Sequence, residues 1–105
     1  MTVRRAVLLV ALLVAGSARS SLSFPEDTNV TRATLDNVGR LLRAVGLDYQ
    51  DVVKTTVYLC DMSEFGAMNA IYREYFPVDP PTRATIGVAA LAADYRIEIE
   101  VIAAR

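Results

Sequence analysis

The segment that most restricts the fold lies at the C-terminal end of the chain. In "RIEIEVIAAR", residues 96–105, apolar residues alternate with charged ones, Ile97, Ile99 and Val101 against Arg96, Glu98 and Glu100. Side chains at every second position share one face of a β-strand. The segment therefore predicts a strand in a sheet with one apolar face and one polar face. Other elements of the chain must cover the apolar face.

The first predicted helix is "PEDTNVTRATLDNVGRLLRAVG", residues 25–46. Asp27 or Thr28 is the candidate N-cap, and Gly46 fits the position just beyond the last turn. Apolar positions recur at helical spacing, so one face is expected to contain Val30, Thr34, Val38, Leu41, Leu42 and Val45. This face is the surface that the helix can bury against the sheet.

The second predicted helix is "SEFGAMNAIYREYF", residues 63–76, with Asp61 or Ser63 as its cap. Its apolar stripe contains Phe65, Met68, Ile71, Tyr72, Tyr75 and Phe76. Asn69 falls just off that stripe, in the middle of the helix. Asparagine is unfavourable there by propensity, so its side chain is expected to be either exposed or hydrogen-bonded to another group.

Two further segments have the composition of strands. Residues 51–61, "DVVKTTVYLCD", are rich in β-branched residues, with Val53, Thr55, Val57 and Leu59 predicted on one face of a strand covered on both sides. Residues 82–91, "TRATIGVAAL", form the other, and the short connection "AADY" predicts that it pairs with the last strand as an antiparallel hairpin. The element order predicts one α+β domain over residues 1–105, with helices on one face of a mixed sheet.

The composition excludes several classes of function. The chain has 105 residues, 11 basic and 12 acidic, and no basic stripe, which argues against nucleic acid as a partner. It contains no histidine, which removes the usual general base and most zinc or iron sites. Cys60 is the single cysteine and has no basic neighbour in sequence, so a structural role is favoured over a nucleophilic one.

Arg83 is the charged residue that most needs an explanation. It follows Pro80 and Pro81 at the entrance of a predicted strand, and no acidic residue adjoins it. A guanidinium drawn into a sheet is unfavourable unless it is paired or binds a ligand. One interpretation is a cross-strand ion pair with Glu98 or Glu100 on the same side of a hairpin. The other is that Arg83 binds a substrate carboxylate and that Glu98 positions a water.

From about residue 34 to residue 105 the chain resembles the Rid (YjgF) family of small imine deaminases. The matching stretches are "LDNVGRLLRAVGL", "DVVKTTVYLCDMSEF", "MNAIYREYF", "PPTRATIGVAAL" and "IEIEVIA". The resemblance implies a chorismate-mutase-like fold, with two helices on one face of a mixed sheet. It also implies a homotrimer with ligand clefts between subunits. The implied reaction is hydrolysis of 2-imino acids or their enamine tautomers to 2-oxo acids and ammonia, without a cofactor or metal.

The resemblance also assigns site residues. Arg83 matches the family arginine that holds the substrate carboxylate, and Glu98 matches the acid that orients the hydrolytic water. Asn69 matches the helix asparagine associated with the site. Thr85 stands where many deaminases have a cysteine, whose backbone helps to hold ligand and water.

The N-terminal segment departs from the family pattern. The family's "P-Y-x-Q" and "S-G-Q" stretches, which supply a tyrosine and a serine, are absent, and Ala15 falls where the serine would be. Residues 1–18 also have the pattern of a secretory signal peptide, although their apolar run is too short for a transmembrane helix. Because cleavage would remove the opening strand, Leu8–Gly16 is expected to be a strand of a cytoplasmic protein, the alternative being secretion.

These departures leave two functional hypotheses open. The first is a 2-imino acid deaminase in which Arg83 and Glu98 do the chemistry. The second is a non-catalytic trimer on the same scaffold that binds a small ligand or a protein. Retention of the arginine and glutamate favours the enzyme, and loss of the N-terminal tyrosine and serine favours the binder.

Overall fold

The computed structural model describes residues 7–13 and 28–105, with the backbone alone for residues 7–13, 28 and 29. In chain order, the strands and α-helices in these ranges are β1 (Val7–Leu13), α1 (Thr28–Ala44), β2 (Val52–Leu59), α2 (Phe65–Tyr75), β3 (Thr82–Gly87) and β4 (Ile97–Ala104). Both predicted helices are present. The second is shorter than predicted because Met62–Glu64 forms a 3₁₀ turn, in which the Asp61 side chain accepts a 2.9 Å hydrogen bond from the Ser63 N–H.

The strands form one mixed sheet in the order β1-β4-β2-β3. Strand β4 is antiparallel to both β1 and β2, whereas β3 runs parallel to β2. The prediction of an α+β fold with a mixed sheet is therefore confirmed. The alternating segment that most restricted the fold lies inside the sheet, where its apolar face is covered by the helices.

The predicted hairpin between the last two strands is wrong. Strand β3 ends at Gly87 instead of Leu91, so that residues 88–96 form the connection to β4. A connection of that length can carry the chain past a neighbouring strand, which the short "AADY" turn could not do. As a result β2 lies between β3 and β4, and β3 is at the edge of the sheet.

The core lies between one face of the sheet and the two helices. Leu35, Val38 and Leu42 of α1 are fully buried there, and Met68 and Tyr72 of α2 are nearly so. The predicted helix face was partly wrong, because Leu41 and Val45 are 44% and 57% exposed while Leu35 takes the central position. The buried side of the sheet is formed by Thr55, Val57, Leu59, Ile97, Ile99, Val101 and Ala103.

The predicted inward face of β2 is wrong at Val53, because the start of this strand is irregular. The register shifts between Val52 and Lys54, which is the signature of a β-bulge. Val52 is 5% exposed, whereas Val53 is 50% exposed and does not share the buried face of Thr55 and Val57. Neither helix packs on the side of β2 that carries Lys54 and Thr56, so the expectation that both faces of this strand are covered is wrong for the single chain.

The C-terminus of α1 confirms the predicted role of Gly46. Its φ is +84°, and the N–H groups of Gly46 and Leu47 donate to the carbonyl oxygens of Arg43 (3.1 Å) and Leu42 (2.9 Å). These hydrogen bonds define a Schellman motif, which requires a left-handed residue at this position.

Replacing Gly46 with alanine is expected to lower the free energy of unfolding by about 1 kcal/mol, because a Cβ is disfavoured at positive φ. The matched control is Gly66→Ala at the start of α2. At both sites a new Cβ meets no atom within 4 Å, but Gly66 has no positive φ. The control is expected to raise stability by about 0.5 kcal/mol. Urea denaturation followed by circular dichroism measures both, and equal effects would contradict the conformational explanation.

The predicted N-terminal strand is present at Val7–Leu13, where it pairs antiparallel with β4. This confirms the strand for the part of Leu8–Gly16 that the structure describes. Ala15 and the candidate cap Asp27 lie outside the described residues. Cleavage of residues 1–18 and the cellular location stay predictions. Neither of the described helices is long and apolar enough to cross a membrane.

Candidate functional site

The register of the sheet places Arg83 on the same face as the helices. Arg83 is paired with Thr55 of β2, and Thr55 is paired with Val101 of β4; both partners are buried. Because paired residues in adjacent strands point to the same side, the Arg83 side chain lies on the core side of the sheet. Strand β3 is at the sheet edge, so the guanidinium is only half-buried.

Uncharged groups of α2 surround the Arg83 guanidinium. Its Nη1 donates a 2.7 Å hydrogen bond to Oδ1 of Asn69, so that, of the two alternatives for the mid-helix asparagine, the hydrogen-bonded one is found. Its Cζ lies 4.5 Å from the ring centroid of Tyr72 and 5.5 Å from that of Phe65, both in the range of cation–π contacts. In the described part of the chain no carboxylate forms an ion pair with Arg83. Most of its N–H donors are therefore free for a ligand.

The Tyr72 ring beneath Arg83 is itself fixed in place. Its hydroxyl and the Thr55 hydroxyl share a buried 2.8 Å hydrogen bond, and its ring packs against Phe76 at a centroid distance of 4.8 Å. Burial raises the pKa of the Tyr72 hydroxyl above its ordinary value, although the Thr55 hydrogen bond opposes part of that rise. The phenol is consequently neutral near pH 7, and it supplies a rigid support on which the guanidinium lies.

Arg83 opens onto a cleft of about 740 Å³ between α2 and the segment that precedes β3. Its walls are formed by Asn69, Ala70, Tyr72, Arg73, Glu74, Phe76, Pro77, Pro80, Pro81 and Arg83. The prolines give this segment restricted backbone angles. The cleft thus combines apolar side chains, three prolines among them, with the Arg83 cation, and it is large enough for a small organic anion.

Thr85 lies two residues beyond Arg83 and on the same side of β3, where it is paired with the buried Val57. Its Oγ1 is buried and has no hydrogen-bond partner among the described residues. An unpartnered buried hydroxyl is unfavourable, and a ligand or water next to Arg83 would satisfy it. The structure therefore brings Asn69 and Arg83 of the predicted site into contact and places Thr85 farther along the same side of β3.

Glu98 does not join this group within one chain. Its partner in β2 is Tyr58, which is three residues from Thr55, the partner of Arg83. An odd separation along a strand places side chains on opposite faces, so Glu98 points away from the helices. Glu100, paired with Thr56, shares that outer face. The predicted same-side arrangement and the intrachain ion pair of Arg83 with Glu98 or Glu100 are therefore wrong.

The contribution of Tyr72 and Phe65 to the site was not predicted from the sequence. Both belong to the apolar stripe of α2, and spacing alone assigns them to the core. The sequence does contain one indication that Tyr72 belongs to the site. It lies three residues after Asn69, and this spacing places the two side chains next to each other on α2. Among the described residues no cluster of histidine, cysteine, aspartate and glutamate has the size of a metal site.

The fold and the cleft together define a class of protein. It is a small α+β domain with an open cleft in which the Arg83 guanidinium is supported by aromatic rings and an amide oxygen. The chain belongs to the Rid (YjgF) family, because the family profile described as endoribonuclease L-PSP matches residues 11–105.

Similar proteins with known names agree with this assignment. The chain is 50% identical over 72 residues to the mouse 2-iminobutanoate/2-iminopropanoate deaminase, covering 69% of this chain and 53% of the mouse protein. It is 49% identical over 73 residues to the chloroplastic Reactive Intermediate Deaminase A of Arabidopsis thaliana, covering 70% of this chain and 39% of that protein. The chain therefore spans about half or less of the length of these curated relatives.

A solved structure extends the similarity to nearly all of the chain. The Escherichia coli protein TdcF, solved with bound serine, is 30% identical and superposes with a TM-score of 0.80. The match covers 94% of this chain and 80% of TdcF. It confirms the family fold, including the mixed sheet with its two helices.

Proposed function

We propose that this protein hydrolyses 2-imino acids, or their enamine tautomers, to 2-oxo acids and ammonia. The observation that carries the proposal is the Arg83 guanidinium, which lies in an open cleft and is held only by uncharged groups. A guanidinium with free donors suits a planar carboxylate, to which it can bind through parallel hydrogen bonds. The names of the mouse and Arabidopsis relatives support the same reaction class.

In the proposed mechanism Arg83 binds the carboxylate of the substrate and so fixes the imine carbon in the cleft. A water adds to that carbon as the C=N π bond breaks, and a carboxylate takes one proton of the water and passes it to the imine nitrogen, which gives a carbinolamine. The hydroxyl of the carbinolamine then gives its proton to the same carboxylate, which passes it to the amine nitrogen; the C–N bond breaks, ammonia leaves and the C=O bond of the 2-oxo acid forms. The Thr85 hydroxyl, unpartnered among the described side chains, is positioned to hydrogen-bond the ligand or the water. The reaction needs no cofactor or metal.

Glu98 is the proposed carboxylate, and it acts from a neighbouring subunit of a homotrimer. Support comes from the outer face of the sheet, which carries Glu98 and is covered by neither helix. Ile86 on that face is 42% exposed, and Tyr58 and Ile102 are half-buried. The apolar side chains that are partly exposed on this mixed face, beside the Glu98 and Glu100 carboxylates, favour association between subunits. A Glu98 carboxylate that is remote from Arg83 in its own chain can then lie near Arg83 of the next one.

The test combines an activity assay with subunit mixing. 2-Iminobutanoate is generated from 2-aminobutanoate by an amino-acid oxidase, and the wild-type protein should accelerate its conversion to 2-oxobutanoate. Glu98→Gln is expected to lower this rate about 100-fold without changing the assembly mass. Mixed assemblies of Arg83→Ala and Glu98→Gln chains should recover about a quarter of the wild-type activity, because a quarter of the shared sites are then intact.

The outcomes separate the enzyme from the non-catalytic binder. A folded trimer that binds 2-oxobutanoate but gives no acceleration would establish the binding module and contradict the deaminase. An active protein whose mixed assemblies show no recovery would contradict the shared site. Assembly mass is measured by light scattering coupled to size-exclusion chromatography.

A further inference from the structure

A second arginine lines the same cleft as Arg83. Arg73 lies in the last turn of α2, one helical turn beyond Asn69, so the two residues project from the same side of the helix about 6 Å apart. Asn69 holds the Arg83 guanidinium at 2.7 Å. The two cationic side chains therefore lie at neighbouring positions along one wall of the cleft.

Arg73 is available to a ligand in the cleft. Its side chain is exposed, and it makes no hydrogen bond or ion pair with any side chain in the described part of the chain. Glu74 is the one carboxylate among the described residues that line the cleft, and it already forms an ion pair. Its oxygens accept hydrogen bonds of 2.8 and 3.4 Å from the Arg32 guanidinium on α1. The charge of Glu74 is thus largely offset, and the described lining of the cleft is positive.

An apolar surface lies beside the two arginines. Ala70, Phe76 and the proline-rich segment supply it. A ligand that matches this arrangement has an anionic group at each end and a short aliphatic chain between them. We infer that the cleft prefers 2-imino acids that carry a second carboxylate in the side chain, with Arg73 as the specificity-determining residue. This inference rests on the proposed function, in which Arg83 binds the first carboxylate.

The test compares the affinities of a dicarboxylate and a monocarboxylate. The corresponding 2-oxo acids are stable probes, so 2-oxoglutarate and 2-oxobutanoate are titrated into the assembled protein by calorimetry. We expect the wild-type protein to bind 2-oxoglutarate about five-fold more tightly, since an exposed ion pair contributes a modest gain. This preference should decrease at high salt, where exposed charges are screened.

Arg73→Gln is expected to bring the ratio of the two dissociation constants close to one, and Arg73→Glu should reverse the preference. The matched control is Arg40→Gln on α1, because Arg40 is also exposed, makes no described ion pair and does not line the cleft. The control should retain the wild-type ratio. Circular dichroism verifies that each variant is folded.

A wild-type protein that binds both probes equally, or a preference that survives Arg73→Gln, would overturn the inference. Failure of the proposed function has a different signature, namely the absence of 2-iminobutanoate hydrolysis by the wild-type trimer. A protein that hydrolyses 2-iminobutanoate but shows no dependence on Arg73 would leave the deaminase in place and exclude the dicarboxylate preference.

Discussion

Arg83→Ala is expected to lower kcat/KM for 2-iminobutanoate hydrolysis by about 100- to 1,000-fold, because it removes charge-assisted hydrogen bonds to the substrate carboxylate. Arg83→Lys keeps the charge but loses the planar fork of donors, so an intermediate loss is expected. Steady-state kinetics on the assembled protein measure both effects.

The stability of the Arg83→Ala variant distinguishes substrate binding from a structural role. In the chain Arg83 contributes one hydrogen bond to Asn69 and cation–π contacts to Tyr72 and Phe65, all at a half-buried site. Their loss should lower the free energy of unfolding by no more than about 1 kcal/mol. Arg40→Ala is the control and should leave kcat/KM and stability near wild type. A large loss of stability with activity retained would contradict the carboxylate-binding role.

The second large effect is expected at Tyr72. This residue is 4% exposed, its hydroxyl bonds to the Thr55 hydroxyl at 2.8 Å, and its ring supports the Arg83 guanidinium. Tyr72→Leu removes the ring and leaves the buried Thr55 hydroxyl unpaired, so the free energy of unfolding should fall by about 3 kcal/mol. The same change should raise KM, because Arg83 loses the surface that orients it. Denaturant unfolding and steady-state kinetics measure the two effects.

Two further variants distinguish the contribution of the Tyr72 ring from that of its hydroxyl. Tyr72→Phe keeps the ring under Arg83 and should change KM little, while the unpaired Thr55 hydroxyl lowers stability by about 1–2 kcal/mol. Adding Thr55→Val removes that unpaired group, and the double variant should recover part of the loss. If Tyr72→Phe raised KM as much as Tyr72→Leu does, the orientation of Arg83 would depend on the Tyr72 hydroxyl rather than on its aromatic face.

Local patterns in the sequence were sufficient to predict the individual helices and strands. The alternation of Ile97, Ile99 and Val101 with charged residues predicted a strand buried on one side, and all three are buried. Gly46 predicted the end of α1, where its positive φ is found. These properties depend on side-chain periodicity and on single-residue backbone preferences, both of which act over a few residues.

Pairing of the strands was not determined by local pattern. The sequence suggested a hairpin of the last two strands, because a short polar connection is typical of one. In the structure residues 88–91 leave the sheet and β3 pairs with β2 instead. The choice of partner depends on long-range packing against α1 and α2, for which no short segment carries enough information.

The sequence by itself determined the α+β class, the positions of both helices and the resemblance to the Rid family, and it singled out Arg83 and Asn69 as candidate site residues. Only the tertiary structure decided how these residues relate in space. It placed Tyr72 beneath Arg83, brought Arg73 into the same cleft and put Glu98 on the opposite face of the sheet. The physical reason is that the face on which a strand residue lies follows from register, and register is set by contacts between distant segments.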